Sequence, residues 1–177
     1  INNNNDYLKN RLESNKEYFL LVLGGPTKHY DYSDENILNI FDLFNDLVKK
    51  NNLQGIVVPS IRTPKDIISL SKNKLASNSL VIESVDKKAY LSALSLAKYI
   101  AITCDSTSMI SEAALTGKPI YVADIPTKKN DYRIKKFKEL FTKLNIIKKL
   151  DNKLETWHYE ILDETSRIAS VIKKKLT

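Results

Sequence analysis

Three groups of residues in this chain are spaced for anion chemistry. The first is Asp105-Ser106-Thr107-Ser108-Met109, which follows the apolar run Tyr99-Ile100-Ala101-Ile102-Thr103 and opens a short helical pattern ending at Gly117, with Pro119 just beyond. A helix start leaves backbone N–H groups free, and the positive end of the helix dipole sits beside them, so an anion is attracted there. Three hydroxyl residues, Ser106, Thr107 and Ser108, exceed what one helix cap needs. Glu112 lies about one turn further on, where a carboxylate can accept hydrogen bonds from sugar hydroxyls. A phosphate and a pentose within reach of one helix start point to a nucleotide. Asp105 would repel a phosphate aimed at it, so it is assigned to an Asx-type loop structure or to a sugar hydroxyl.

The second group, Gly24-Gly25-Pro26-Thr27-Lys28, follows the apolar run Phe19-Leu20-Leu21-Val22-Leu23. Glycine admits a close ligand and permits positive φ, while the Thr27 hydroxyl and Lys28 ammonium can meet phosphate oxygens. The loop is neither a GxGxxG nor a Walker loop. The third group is Ser60-Ile61-Arg62-Thr63-Pro64 after Gly55-Ile56-Val57-Val58. Arg62 at a strand end can fork onto a diphosphate, and Thr63 followed by Pro64 reads as a helix cap and first helical position.

The elements that position these groups alternate along the chain. The helix from Ser33 or Asp34 carries the stripe Ile37, Ile40, Phe41, Phe44, Leu47 and Val48. Residues 79–83 form a third strand, Asp86 caps a helix through Tyr90, Leu91, Leu94 and Ala97, and residues 119–123 form a fifth strand. A helix is expected from Asp131 to Leu144 and a long last one over 159–175. Short apolar runs alternating with amphipathic helices predict an α/β fold: a Rossmann-like parallel sheet with helices on both faces. Ligands of such sheets bind at the carboxyl ends of the strands, where the loops 24–28, 59–63, 83–86 and 103–108 all fall. The expected division is a linker or boundary helix over 1–17, a nucleotide-sugar-binding domain over 18–158, and a C-terminal helix over 159–177.

Bulk properties narrow the class. The 177 residues suit one domain, and no apolar stretch approaches the roughly 20 residues of a membrane span. A single cysteine, Cys104, excludes an internal disulfide framework and a multi-cysteine zinc site, and is expected to be a buried inert thiol in a reducing compartment. The net charge of +7 comes mostly from dispersed lysines. No aromatic-basic signature accompanies them, so nucleic acid is not the expected partner. A solvated surface is the expected reading, with attraction to an anionic membrane face as the sharper one. There is no Asp-x-Asp motif, so no metal is expected.

In combination, Gly24-Gly25-Pro26-Thr27-Lys28-His29-Tyr30, Ser60-x-Arg62-Thr63-Pro64 and Asp105-Ser106-x-Ser108-Met109-Ile110-Ser111-Glu112-Ala113 resemble the mitochondrial-fission, elongated-mitochondria-type family of glycosyltransferase-like proteins, which has a second arginine where this chain has Ile61. The segment 104–122 is also similar to the donor half of two-Rossmann-domain (GT-B) glycosyltransferases. The resemblance implies the C-terminal half of a longer cytoplasmic protein, at the inner face of a membrane if the basic surface is used. The implied donor is a nucleoside-diphosphate sugar with no further cofactor. Its expected contacts are Gly24, Gly25, Thr27, Lys28, Ser60, Arg62, Thr63, Ser106, Thr107, Ser108, Met109 and Glu112. The acceptor, a glycan or a lipid-linked molecule, and the catalytic base would belong to the other half, so no catalytic residue is assigned here. A nucleotide-sugar epimerase and a non-catalytic, partner-recruiting scaffold are the alternative expectations.

Overall fold

The computed structural model describes residues 6–161 and 172–173. Six parallel strands form one sheet: β1 (Tyr18–Leu23), β2 (Gln54–Pro59), β3 (Leu80–Val81), β4 (Tyr99–Thr103), β5 (Ile120–Ala123) and β6 (Ile147–Lys149), in the order β3-β2-β1-β4-β5-β6. The helices are α1 (Asp6–Lys9), α2 (Asp34–Lys50), α3 (Lys65–Lys74), α4 (Lys87–Leu96), α5 (Thr107–Ala114) and α6 (Tyr132–Lys143). The chain runs outward from β1 to β3, returns past β1, and runs outward again from β4 to β6. With right-handed crossovers, α2 and α3 cover one face and α4, α5 and α6 the other. The strand order reverses between β1 and β4, which opens a crevice at the carboxyl ends of those strands.

The central strands are apolar along their whole length because both faces are covered. Phe19 through Leu23 and Ile100 through Ile102 are buried without exception. The α2 stripe is buried as its spacing predicts, and Phe44 stacks on Phe19 with ring centroids 4.6 Å apart. Full burial of each such side chain is worth about 1.5–3 kcal/mol. Asp86 and Asp131 cap α4 and α6: Asp86 accepts from the N–H groups of Lys88 and Ala89, and Asp131 from that of Ile134.

Several elements differ from expectation. α3 starts at Lys65, with Pro64 in the cap position; Thr63 caps nothing, because its hydroxyl turns back to the end of β1. β3 keeps only two of five expected residues, since it is an edge strand paired with β2 alone and its far end, Glu83 to Val85, is exposed. β6 was not expected. Only Ile146 and Ile147 are apolar before Lys148 and Lys149, and those lysines suit an unpaired sheet edge. α1 packs on α4, where Leu8 is fully buried and its N–H donates to Ser92 Oγ.

Residues 159–161, expected to begin the last helix, have no regular structure. Tyr159 instead donates to the carbonyls of Ala114 and Lys118 at the end of α5. Residues 172–173 are helical, and the remainder of that expected helix lies outside the described residues.

Candidate functional site at the carboxyl edge of the sheet

β2, β1 and β4 are neighbours, and the loops leaving their carboxyl ends are bound together by one carboxylate. The Asp105 side chain is fully buried. Its Oδ1 accepts from Thr103 Oγ1 at 2.7 Å, and its Oδ2 accepts from the Gly25 N–H at 3.0 Å and from Arg62 Nη2 at 2.7 Å. Thr103 Oγ1 in turn accepts from the Gly24 N–H at 2.7 Å. Arg62 Nη1 donates to the Gly25 carbonyl at 3.1 Å, so the guanidinium is held by both neighbouring loops. Of the two roles expected for Asp105, the loop-building one is the one observed. Its charge is neutralised by Arg62, which removes its repulsion of a nearby anion.

Thr63 Oγ1 faces the carbonyls of Leu23 and Gly24 and accepts from the Ser60 N–H at 2.8 Å. It is buried and fully engaged, so it works inside the protein and has no surface to offer a ligand. Ser60 Oγ lies 3.2 Å from it and accepts from the Arg62 N–H. The Tyr32 hydroxyl donates to the Gly24 carbonyl, and burial, then the Asp105 charge, pushes its pKa well above the usual tyrosine range.

The two glycines make room within the protein's own loops. Gly117 is the only described glycine with positive φ. A Cβ on Gly24 would stand 2.1 Å from Asp105 Oδ2, and one on Gly25 would stand 2.1 Å from the Arg62 carbonyl oxygen. Their missing side chains admit the protein's own Asp105 and Arg62. Because the obstacle at Gly25 is backbone, Gly25→Ala is expected to cost about 3 kcal/mol, the upper range for overpacking. Urea denaturation measures this, and a loss under about 1 kcal/mol would show that the two loops separate freely.

The helix starts at this edge fall into two classes. Those of α4 and α6 are occupied by their own aspartates. Those of α2, α3 and α5, which follow β1, β2 and β4, have no side-chain cap, but α2 and α3 carry acidic residues in their first turn and Asp66 accepts from the Ile67 N–H, which leaves α5 as the start free of acids. At α5 the cap residue Ser106 places its Oγ 3.3 Å from Ser108 Oγ instead of on the backbone. Ser106 is buried, Thr107 and Met109 are half-buried, and Ser108 and Glu112 are exposed. Glu112 lies near Tyr90 of α4, whose pKa is raised by burial and then by the Glu112 charge. Lys28 is exposed, and Thr27 Oγ1 accepts from the His29 N–H within its own loop. The fold therefore joins Gly24, Gly25, Ser60, Arg62 and Thr63 in one hydrogen-bond network, in which Asp105 holds Gly25 and Arg62 directly, Thr103 and Thr63 hold Gly24, and Ser60 is bonded to Thr63 and Arg62, with Ser106 next in sequence. Lys28, Met109 and Glu112 stand outside that network.

Cys104 is fully buried, and burial pushes its thiol up to about 11, which leaves little thiolate at neutral pH. Sequence reasoning missed how the β1–α2 loop continues. The Asp31 N–H donates to the Pro126 carbonyl and the Lys128 N–H to the His29 carbonyl, and Tyr30 bridges Thr127. The alternation of Tyr30 and Tyr32 around Asp31 was the available signal of a strand-like, half-buried segment. Among the described residues no helix is long and apolar enough to cross a membrane.

Comparison with known proteins supports this architecture. The family described as Mitochondrial fission ELM1 matches residues 1–176. The Rickettsia prowazekii protein RP120 is 29% identical over 165 residues, covering 89% of this chain and 46% of the relative. The mitochondrial fission protein ELM1 of Arabidopsis thaliana is 25% identical over 167 residues, covering 91% of this chain and 38% of the relative. The chain thus spans less than half the length of these relatives. Among solved structures, the UDP-GlcNAc 2-epimerase of Neisseria meningitidis bound to UDP-GlcNAc superposes with a TM-score of 0.55 at 15% identity, over 98% of this chain and 40% of that one. The UDP-GlcNAc 2-epimerase of Methanocaldococcus jannaschii gives 0.54 at 18% identity, over 98% and 50%. At such identities the likeness is one of fold, that of a Rossmann-like half of a GT-B protein.

Proposed function

Since this chain belongs to the mitochondrial fission ELM1 family and has the fold of one GT-B half, we propose that the open edge of β2, β1 and β4 holds the diphosphate of a nucleoside-diphosphate sugar, as the donor half of a metal-independent glycosyltransferase. The observation that carries this is the uncapped start of α5 behind β4, whose first turn holds no acidic residue, beside an aspartate already neutralised by Arg62. The first-turn N–H groups of α5 and the hydroxyls of Ser106 and Ser108 take the phosphates. Lys28 supplies a mobile cation from the β1–α2 loop, and Glu112 takes the pentose hydroxyls. Arg62 holds the loops in register and presents its remaining N–H groups. These fixed dipoles and charges stabilise a leaving nucleoside diphosphate without a metal. The acceptor, a glycan or lipid-linked molecule, is assigned to the other half of the GT-B pair.

UDP is the probe of choice, because structural neighbours carry UDP or UDP-GlcNAc. The expected result is saturable UDP binding by calorimetry in the presence of a chelator. Ser108→Asp puts a carboxylate where the diphosphate would sit. It is expected to abolish that binding while holding or raising stability by about 0.3–1 kcal/mol, since an acid at a helix start is favourable. Absence of UDP, GDP and ADP binding at millimolar concentration, or unchanged binding by Ser108→Asp, would overturn the reading. Release of free UDP with an altered sugar and no transfer to an acceptor would assign the site to an epimerase. Partner recruitment that survives Ser108→Asp would assign it to a scaffold.

A further inference from the structure

An open groove of about 1020 Å³ lies between the β5–α6 loop and the outer face of α6. It is separate from the nucleotide edge: Tyr30, Ile125 and Pro126 line it, and none of the residues expected to hold the nucleotide does. We propose that this groove seats a second, phosphate-bearing ligand.

The charge balance inside it carries the argument. Lys128 is paired with Asp31 at 2.9 Å and Lys138 with Asp124. Asp131 is engaged at the start of α6, and its other oxygen faces His29 Nε2 at 3.5 Å. What remains is Glu139 and the still-charged Asp131 against three ammonium groups, those of Lys129, Lys135 and Lys143, a surplus of positive charge. None of the three has a carboxylate within ion-pair distance among the described residues. Three like charges facing one groove repel each other, and an anion between them removes that repulsion.

The groove is also built to last. The Lys129 N–H is bonded to the His29 carbonyl at 3.3 Å, and its loop is zipped to the β1–α2 loop by the neighbouring bonds from Asp31 and Lys128. Lys135 and Lys143 stand eight residues apart on α6, about 12 Å along its axis. That length admits more than one phosphate group. Lysine is the point-charge phosphate binder, less demanding of geometry than arginine. The same phosphate chemistry is carried by a free phosphate ester and by a lipid headgroup.

Two arms of one experiment separate these sources. In the Ser108→Asp background, which blocks the nucleotide edge, inorganic pyrophosphate is titrated calorimetrically at low salt. In parallel the protein is sedimented with phosphatidylcholine vesicles with and without phosphatidylglycerol. At least one arm is expected to show binding: pyrophosphate identifies a free ester, the anionic vesicles a headgroup. The triple variant Lys129→Glu, Lys135→Glu, Lys143→Glu is expected to weaken that arm about a hundredfold, from roughly one charge contact per lysine. The milder triple change to Gln guards against a folding defect, and a control triple, Lys49→Glu, Lys50→Glu, Lys74→Glu, keeps wild-type binding. Failure of both arms, wild-type binding by the groove variants, or equal loss in the control triple would overturn the proposal. UDP binding is read separately, so failure of the nucleotide reading leaves this test intact.

Discussion

Asp105→Ala is expected to lower the stability of the fold by about 3–5 kcal/mol. Among the described residues the carboxylate is the only acceptor given to the Gly25 N–H and to the Thr103 hydroxyl, and it neutralises Arg62. Alanine leaves a buried N–H without a partner and unties three loops at once. The Arg62 side chain is 37% exposed and can turn to water, so the orphaned backbone group carries the larger share. Asp105→Asn keeps one oxygen acceptor and is expected to cost about half as much. Arg62→Met is the more informative partner, because it strands a carboxylate that has no exposure at all. The double variant Asp105→Asn, Arg62→Met should then cost less than the sum of the two, with a coupling of about 1–3 kcal/mol. Urea denaturation reads all four proteins. A loss below about 1 kcal/mol for Asp105→Ala would mean that the loops hold their places without this hub.

The second large effect is an alkaline one. Burial raises the Cys104 thiol from 9.0 to about 11 and the Tyr121 hydroxyl from 10.0 to about 12. Tyr159 is likewise raised to about 12, and Tyr30, Tyr32 and Tyr90 are raised well above the usual tyrosine range, in each case chiefly by burial. These groups are protonated in the native chain at pH values where the unfolded chain has already released its protons. Their stabilisation is complete below pH 9 and is lost as pH climbs through the native values. Cys104 and Tyr121 are each worth about 3 kcal/mol on this basis.

Lys118 acts in the opposite sense. Burial lowers its ammonium from 10.5 to about 8, and Nζ donates to the carbonyls of Leu94 and Ser95 at the end of α4. Between those two values the unfolded chain binds more protons than the native one, so stability rises with pH there. The expected profile of the urea midpoint is a small rise from pH 8 to 9 and a steep fall beyond pH 10. Lys118→Met should erase the rise and leave the fall. A midpoint that stays constant from pH 8 to 11 would contradict the burial argument for the tyrosines and the thiol.

Much of this architecture was legible in the residues because it is local. The run Phe19 to Leu23 can only be a strand covered on both faces, and the spacing of Ile37, Ile40, Phe41, Phe44, Leu47 and Val48 can only be one face of a helix. Asp86 was legible as a cap and Asp131 as the start of a helix, since a cap bonds N–H groups two or three residues away. β6 was not legible. Two isoleucines before two lysines carry no period, and they become a strand only because the β5 edge is there to pair with them. Thr63 was misread for a related reason: its partners, Leu23 and Gly24, lie about forty residues away.

The alternation of apolar runs and helices therefore determined by itself an α/β fold with its loops at one edge, and it named the loops after β1, β2 and β4 as the chemical ones. Only the tertiary structure decided what the residues in those loops do. Asp105 turned from a doubtful neighbour of a phosphate into the hub of the edge, and Gly24 and Gly25 make room for that hub. The reason is physical: spacing along a chain sets which side a residue faces within its own element. The distance between Gly25, Arg62 and Asp105, or between Lys129 and Lys143, is set by strand order and loop packing, to which no local period refers.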